Sequence, residues 1–123
     1  MDFSAYRTIL FETFKKDGTA VNTPVWFVQE GDTLFVSTSP DAWKARRLRN
    51  NPAARVAGAD AAERPATAWV SVIGRFVEGD EAARIYDALD KRYEGYFRRF
   101  DRDNGLTRVI IALDQVSEDE QDE

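Results

Sequence analysis

The 123-residue sequence contains no cysteine and no histidine. These two absences exclude disulfides, thiol nucleophiles, imidazole bases and the usual zinc and haem ligands together. Any chemistry must then come largely from a bound cofactor. Glycine-rich phosphate loops of either standard type are missing, no serine has a histidine partner, and no carboxylate pair stands out. Catalytic residues therefore stay unassigned, and no metal site is expected. No stretch approaches the length of a membrane span, so no membrane partner is expected. The opening MDFSAYRTILFETF lacks a basic start, a long apolar run and a small-residue cleavage site, which makes the cytoplasm the expected location.

What is present is aromatic and charged. Three Trp, eight Phe and four Tyr exceed what so short a chain hides easily, which favours a subunit interface or a ligand lined by rings. The net charge is −5, but SEDEQDE (117–123) carries five acids and no base, and the remainder balances at 17 of each sign. The expected organisation is one domain over 1–116 followed by an acidic, disordered tail over 117–123. A chain of this size buries only part of its apolar surface alone, so a dimer would help it.

Residues 8–15 (TILFETFK) and 20–29 (AVNTPVWFVQ) flank the Asp17-Gly18 turn and read as a hairpin. Pro24 inside the second run marks an edge, a bulge or a place where something other than a strand meets the backbone. Residues 33–39 form a third strand; Ser39 then reads as an N-cap and Pro40 as the first residue of a short helix ending near Asn50. Strands follow at 54–60 and 66–78, with Gly74 a candidate bulge. From Asp80 the period changes: Ala82, Ile85, Tyr86, Leu89, Tyr93, Phe97 and Phe100 predict one amphipathic helix. A closing strand spans 106–116. The order βββαββαβ predicts a mainly β fold with α, a six-stranded antiparallel barrel, closed or nearly so, with two helices at its ends.

Two segments carry candidate chemistry. In SPDAWKARRLRNNP, the cations read either as a solvated helix face or as an anion seat. For the seat, Lys44 and Arg47 stand three residues apart, and Thr38, Ser39 and the free N–H groups of a helix start lie just upstream. Nucleic acid fits poorly, because the body is neutral and the 117–123 segment would be repelled. In TPVWFVQ, the residues read as an ordinary strand, or as a proline-broken one whose backbone meets a planar heteroaromatic ring with Trp26 packing on it. Trp43 and Trp69 fit core, interface or stacking equally.

Read in order, TFKKDGTAVNTPVWFV, LFVSTSPDAWKARRLRNNP and WVSVIGRFVEGDEAARIYDALDKRY resemble the pyridoxamine-5′-phosphate-oxidase-like split β-barrel flavoproteins, and within them the deazaflavin (coenzyme F420)-dependent branch. The resemblance spans nearly the whole chain. It implies a six-stranded split β-barrel with two helices, of FMN-binding split-barrel type, a homodimer with cofactors in clefts between subunits, and an oxidoreductase passing a hydride between F420 and a small conjugated acceptor. It further implies that Thr38, Lys44 and Arg47, with Ser39 beside them, hold the cofactor phosphate, while Pro24, Val25, Trp26 and Phe27 run beside the ring. FMN is the alternative cofactor, and a non-catalytic flavin or deazaflavin carrier the alternative role. Pyridoxamine phosphate oxidation itself is disfavoured: TPVWFVQ has no cation, Trp43 stands where an Arg accompanies the helix lysine, and the Arg-containing C-terminal motif is replaced by IALDQVSEDEQDE. Two further departures are Glu12-Thr13, where relatives often have paired threonines, and ADAAERPA, where they often carry Cys-Asp and Arg-Gly pairs.

Overall fold

The computed structural model describes residues 1–116; the segment expected as an acidic tail, 117–123, lies outside the described residues. Among the described residues seven strands form one antiparallel sheet: β1 (Ile9–Phe14), β2 (Ala20–Val25), β3 (Phe27–Glu30), β4 (Thr33–Thr38), β5 (Ala53–Gly58), β6 (Val70–Val77) and β7 (Val109–Gln115). Their order is β2-β1-β5-β6-β7-β4-β3. The two outermost strands, β2 and β3, are separated in the chain only by Trp26. A sheet whose opposite edges are joined through one residue must curl on itself, so the architecture is a split barrel.

Alternation along the strands sorts residues to the two faces. Ile9, Phe11, Phe27, Leu34, Val36, Val56, Ile111 and Leu113 are fully buried in the barrel interior. The helix α1 (Trp43–Asn50) closes one mouth with Ala45 and Leu48. Gly74 makes this closure possible: a Cβ there would lie 3.0 Å from Leu48 Cδ2. The β6–β7 register runs unbroken through Gly74↔Leu113, so this glycine provides clearance rather than the expected bulge. On the outer face of β3, β4 and β7, a second core forms beneath α2 (Gly79–Arg92) and α3 (Tyr96–Asn104), using Val28, Phe35, Ile85, Leu89, Tyr93 and Phe97.

The element count differs from the expected six strands and two helices for local reasons. The run 20–29 is split at Trp26, whose neighbours pair with different strands: Val25 with Ile9 and Phe27 with Val36. The long helix is split because Glu94 and Gly95 adopt left-handed φ values of 62° and 78°. The apolar repeat nevertheless continues, since Ile85, Leu89, Tyr93 and Phe97 reach the same core. Arg98, expected near a helix end, lies in the first turn of α3 and pairs with Asp87 and Asp90.

Among the described residues, Thr23 Oγ1 is a buried side-chain polar atom without a hydrogen-bond partner. Thr23→Val removes that uncompensated hydroxyl and should stabilise the protein by about 1 kcal/mol. Thermal unfolding should then shift upward by about 4 °C; an unchanged or lowered midpoint would contradict this.

Candidate functional site

The site forms where β4 ends and α1 begins. Thr38, the last residue of β4, pairs with Val109 and is buried. Ser39 does not cap the helix as expected. Its carbonyl accepts from Ala42 N–H at 3.1 Å and its hydroxyl from Asp41 N–H at 3.4 Å, making a separate turn. The helix starts at Trp43 behind Ala42, without a side-chain cap. The physical reason is the turn itself, which spends the Ser39 oxygens locally and delays the helix by several residues.

Lys44 in the first helical turn is half-buried, and burial, followed by the nearby Arg47 charge, holds its ammonium below the usual lysine pKa. Among the described residues no carboxylate forms an ion pair with it. A half-buried ammonium without an ion-pair partner, on the same cavity as two hydroxyls, favours an anion.

Thr38, Ser39 and Lys44, together with Trp26, Tyr96 and Phe97, line a cavity of about 470 Å³. Its volume is that of a typical small-molecule site. Pro24 and Val25 also border it. Trp26 is held flat against Tyr93, with ring centroids 4.3 Å apart and planes 1° apart, and meets Phe97 edge-on at 5.7 Å. The buried Tyr93 hydroxyl fixes this stack by accepting from Phe27 N–H at 3.0 Å and donating to the Arg7 carbonyl at 2.7 Å. Burial pushes that phenol's pKa up, keeping it a donor.

Two of the eight expected site residues lie elsewhere. Phe27 is fully buried inside the barrel. Arg47 donates from Nε to Thr13 Oγ1 at 2.6 Å and borders a second cavity of about 530 Å³ with Lys15, Lys16, Trp43 and Arg46. Trp43 is 69% exposed there, with the Arg46 guanidinium 5.1 Å above its ring. Trp69 lies beneath the Arg55 guanidinium at 5.1 Å. Glu12 is buried on the opposite face of β1 from Thr13 and forms an ion pair with Arg55.

Arg108, passed over in the sequence, lines the first cavity. It precedes β7, and the antiparallel pairing of Thr38 with Val109 brings it alongside Ser39. Its Nε donates to both Asp101 oxygens at 2.7 and 2.8 Å, and the Tyr86 hydroxyl donates to the same carboxylate at 2.6 Å. Burial, then the bond to Asp101, pushes the Tyr86 pKa up to about 12. The only signal in the sequence was a single cation at the start of the last strand, and its partner strand is not readable there.

The ADAAERPA loop also reaches the cavity. An Ala59–Pro65 bridge closes it, and the Asp60 carboxylate accepts from Ala62 and Arg64 N–H groups. Glu63 is thereby held with a left-handed φ of 60° at the cavity wall.

The chain is a split barrel with Trp26, Tyr96, Phe97, Thr38, Ser39 and Lys44 lining one cavity. The sequence profile of the pyridoxamine 5′-phosphate oxidase family matches residues 4–118, and the chain belongs to that family. Solved structures show the same fold. An F420 reductase is 22% identical, with 95% of each chain covered and a TM-score of 0.62. An F420-H2 dependent reductase is 16% identical, covering 88% of this chain and 94% of the other, with a TM-score of 0.69. The haem storage protein of Vibrio cholerae is 18% identical, covering 93% and 84%, with a TM-score of 0.71. No curated protein matches the sequence. No helix among the described residues is long and apolar enough to cross a membrane.

Proposed function

We propose that the chain is a deazaflavin (F420)-dependent oxidoreductase, working as a homodimer, that transfers a hydride between the cofactor and a small conjugated organic acceptor. The observation that carries this reading is one cavity with an aromatic wall at Trp26 and an unneutralised Lys44 beside Thr38 and Ser39. The first suits a planar ring and the second a phosphate, which is the chemistry of a deazaflavin or flavin mononucleotide. When bound, the reduced cofactor supplies the hydride. The residues of this chain bind the phosphate, orient the ring along Pro24–Trp26 and exclude water with Tyr96 and Phe97.

FMN satisfies the same corner and is the alternative cofactor. Haem is a poorer match, because without histidine or cysteine the chain lacks the commonest axial ligands. A spectral titration with F420 and with FMN decides between them. Binding of the deazaflavin at micromolar concentration is expected, and no binding of either removes the reading. Lys44→Ala should weaken the affinity by about 2 kcal/mol, roughly thirtyfold, as loss of a charge-assisted phosphate contact does. Since the depressed Lys44 pKa sets where its charge is lost, affinity should fall with rising pH at a lower pH than for an exposed lysine. Lys44→Arg should flatten that profile. Turnover of quinones, enones or nitro compounds by the reduced form separates an enzyme from a carrier.

A further inference from the structure

We propose that Arg108 is the acceptor-recognition residue of the cavity, and that it selects planar conjugated acceptors bearing a single carboxylate or sulfonate. The proposal rests on the reading above, in which a hydride acceptor enters this cavity. Asp101, only 9% exposed, grips the guanidinium at its Nε edge, and Tyr86 steadies that carboxylate. The guanidinium carbon lies 4.9 Å from the Phe97 ring centroid. Its other edge is nearly free: Nη1 reaches Ser37 Oγ at a long 3.4 Å, and Nη2 has no hydrogen bond among the described residues. A planar fork fixed along one edge therefore has donors left to offer the cavity.

Charge and position decide what the fork takes. The Asp101 carboxylate offsets the Arg108 charge, whereas no acid pairs with Lys44 among the described residues. A phosphate dianion is drawn to the net positive corner at Lys44. A neutralised guanidinium instead supplies directed donors without excess charge, which suits a singly charged oxyanion. Arg108 also adjoins the aromatic wall, through Phe97 and its contact with Trp26, where a flat acceptor stacks. Arg108 is thus a binding residue, with Asp101 and Tyr86 positioning it.

The test uses anthraquinone-2-sulfonate and neutral 2-(hydroxymethyl)anthraquinone as probes, their binding to the full chain read by quenching of tryptophan fluorescence, with and without oxidised cofactor. Wild-type protein should prefer the sulfonate by about tenfold or more, the worth of one charge-assisted contact. Arg108→Lys keeps a cation for Asp101 but removes the second nitrogen, and should lose most of the preference. Arg108→Gln should lose all of it. Cofactor affinity should stay unchanged in both. Equal preference in wild type and Arg108→Lys overturns the proposal, and so does a fall in cofactor affinity that matches the fall for the sulfonate. Failure of the cofactor to bind would overturn the functional reading instead, while the probe preference without cofactor still decides the role of Arg108.

Discussion

Leu48→Ala should cost about 3 kcal/mol of stability and also weaken cofactor binding, although Leu48 lines neither cavity described above. The stability loss follows from burial: Leu48 is 4% exposed, belongs to the barrel core and fits against Gly74. Truncation leaves a void that rigid strands cannot collapse to fill. The binding loss follows from the helix that carries it. With eight residues, no side-chain cap and no acid in its first turn, α1 has little intrinsic stability. It is held by Ala45 and Leu48, and Lys44 rides on it. Urea unfolding should show a lower midpoint at unchanged slope, and hydrogen exchange should show loss of protection concentrated in α1. Lower stability with unchanged cofactor affinity would mean that Lys44 is positioned by something other than this packing.

Arg55→Leu should be of similar severity, about 3 kcal/mol, because it leaves the buried Glu12 carboxylate without its ion-pair partner. The two partners are unequal. The Glu12 side chain is 4% exposed and that of Arg55 41% exposed, so an unpaired Arg55 can turn to water while an unpaired Glu12 cannot. Glu12→Gln should therefore cost less than Arg55→Leu, and the Glu12→Leu, Arg55→Leu double variant should recover most of the loss. Part of the Arg55 effect is its packing over Trp69, which a leucine retains only partly. Urea denaturation of all three variants checks the asymmetry; equal costs for the two single variants would show that water already reaches the pair.

The parts set by neighbours along the chain could be read from the residues alone. The Asp17-Gly18 hairpin forms as its composition dictates, with Gly18 at a φ of 88° and the Asp17 carboxylate accepting from Thr19 N–H at 2.9 Å. The period change at residue 80 marked the helical stripe, of which Ile85, Leu89, Tyr93 and Phe97 are buried together while Phe100 is exposed and the break at Glu94–Gly95 went unread. The family was legible because its motifs are local, and so was the nearness of Thr38, Ser39 and Lys44, which lie within seven positions of one another and line one cavity.

Whatever depends on register and curvature emerged with the folded barrel. Pro24 hinted that the second run was interrupted, but the break at Trp26 exists because one short segment must serve both edges of a curled sheet. Lys44 and Arg47 are nearly adjacent on the helix, yet only Lys44 reaches the first cavity, while Arg47 turns to Thr13. The second cation of that cavity is Arg108, which lies about seventy positions from Ser37 and Ser39 in the chain and reaches them only through the β4–β7 pairing. Helix period and cap chemistry act over three or four residues, whereas strand register is fixed by which hydrophobic faces meet across the whole barrel.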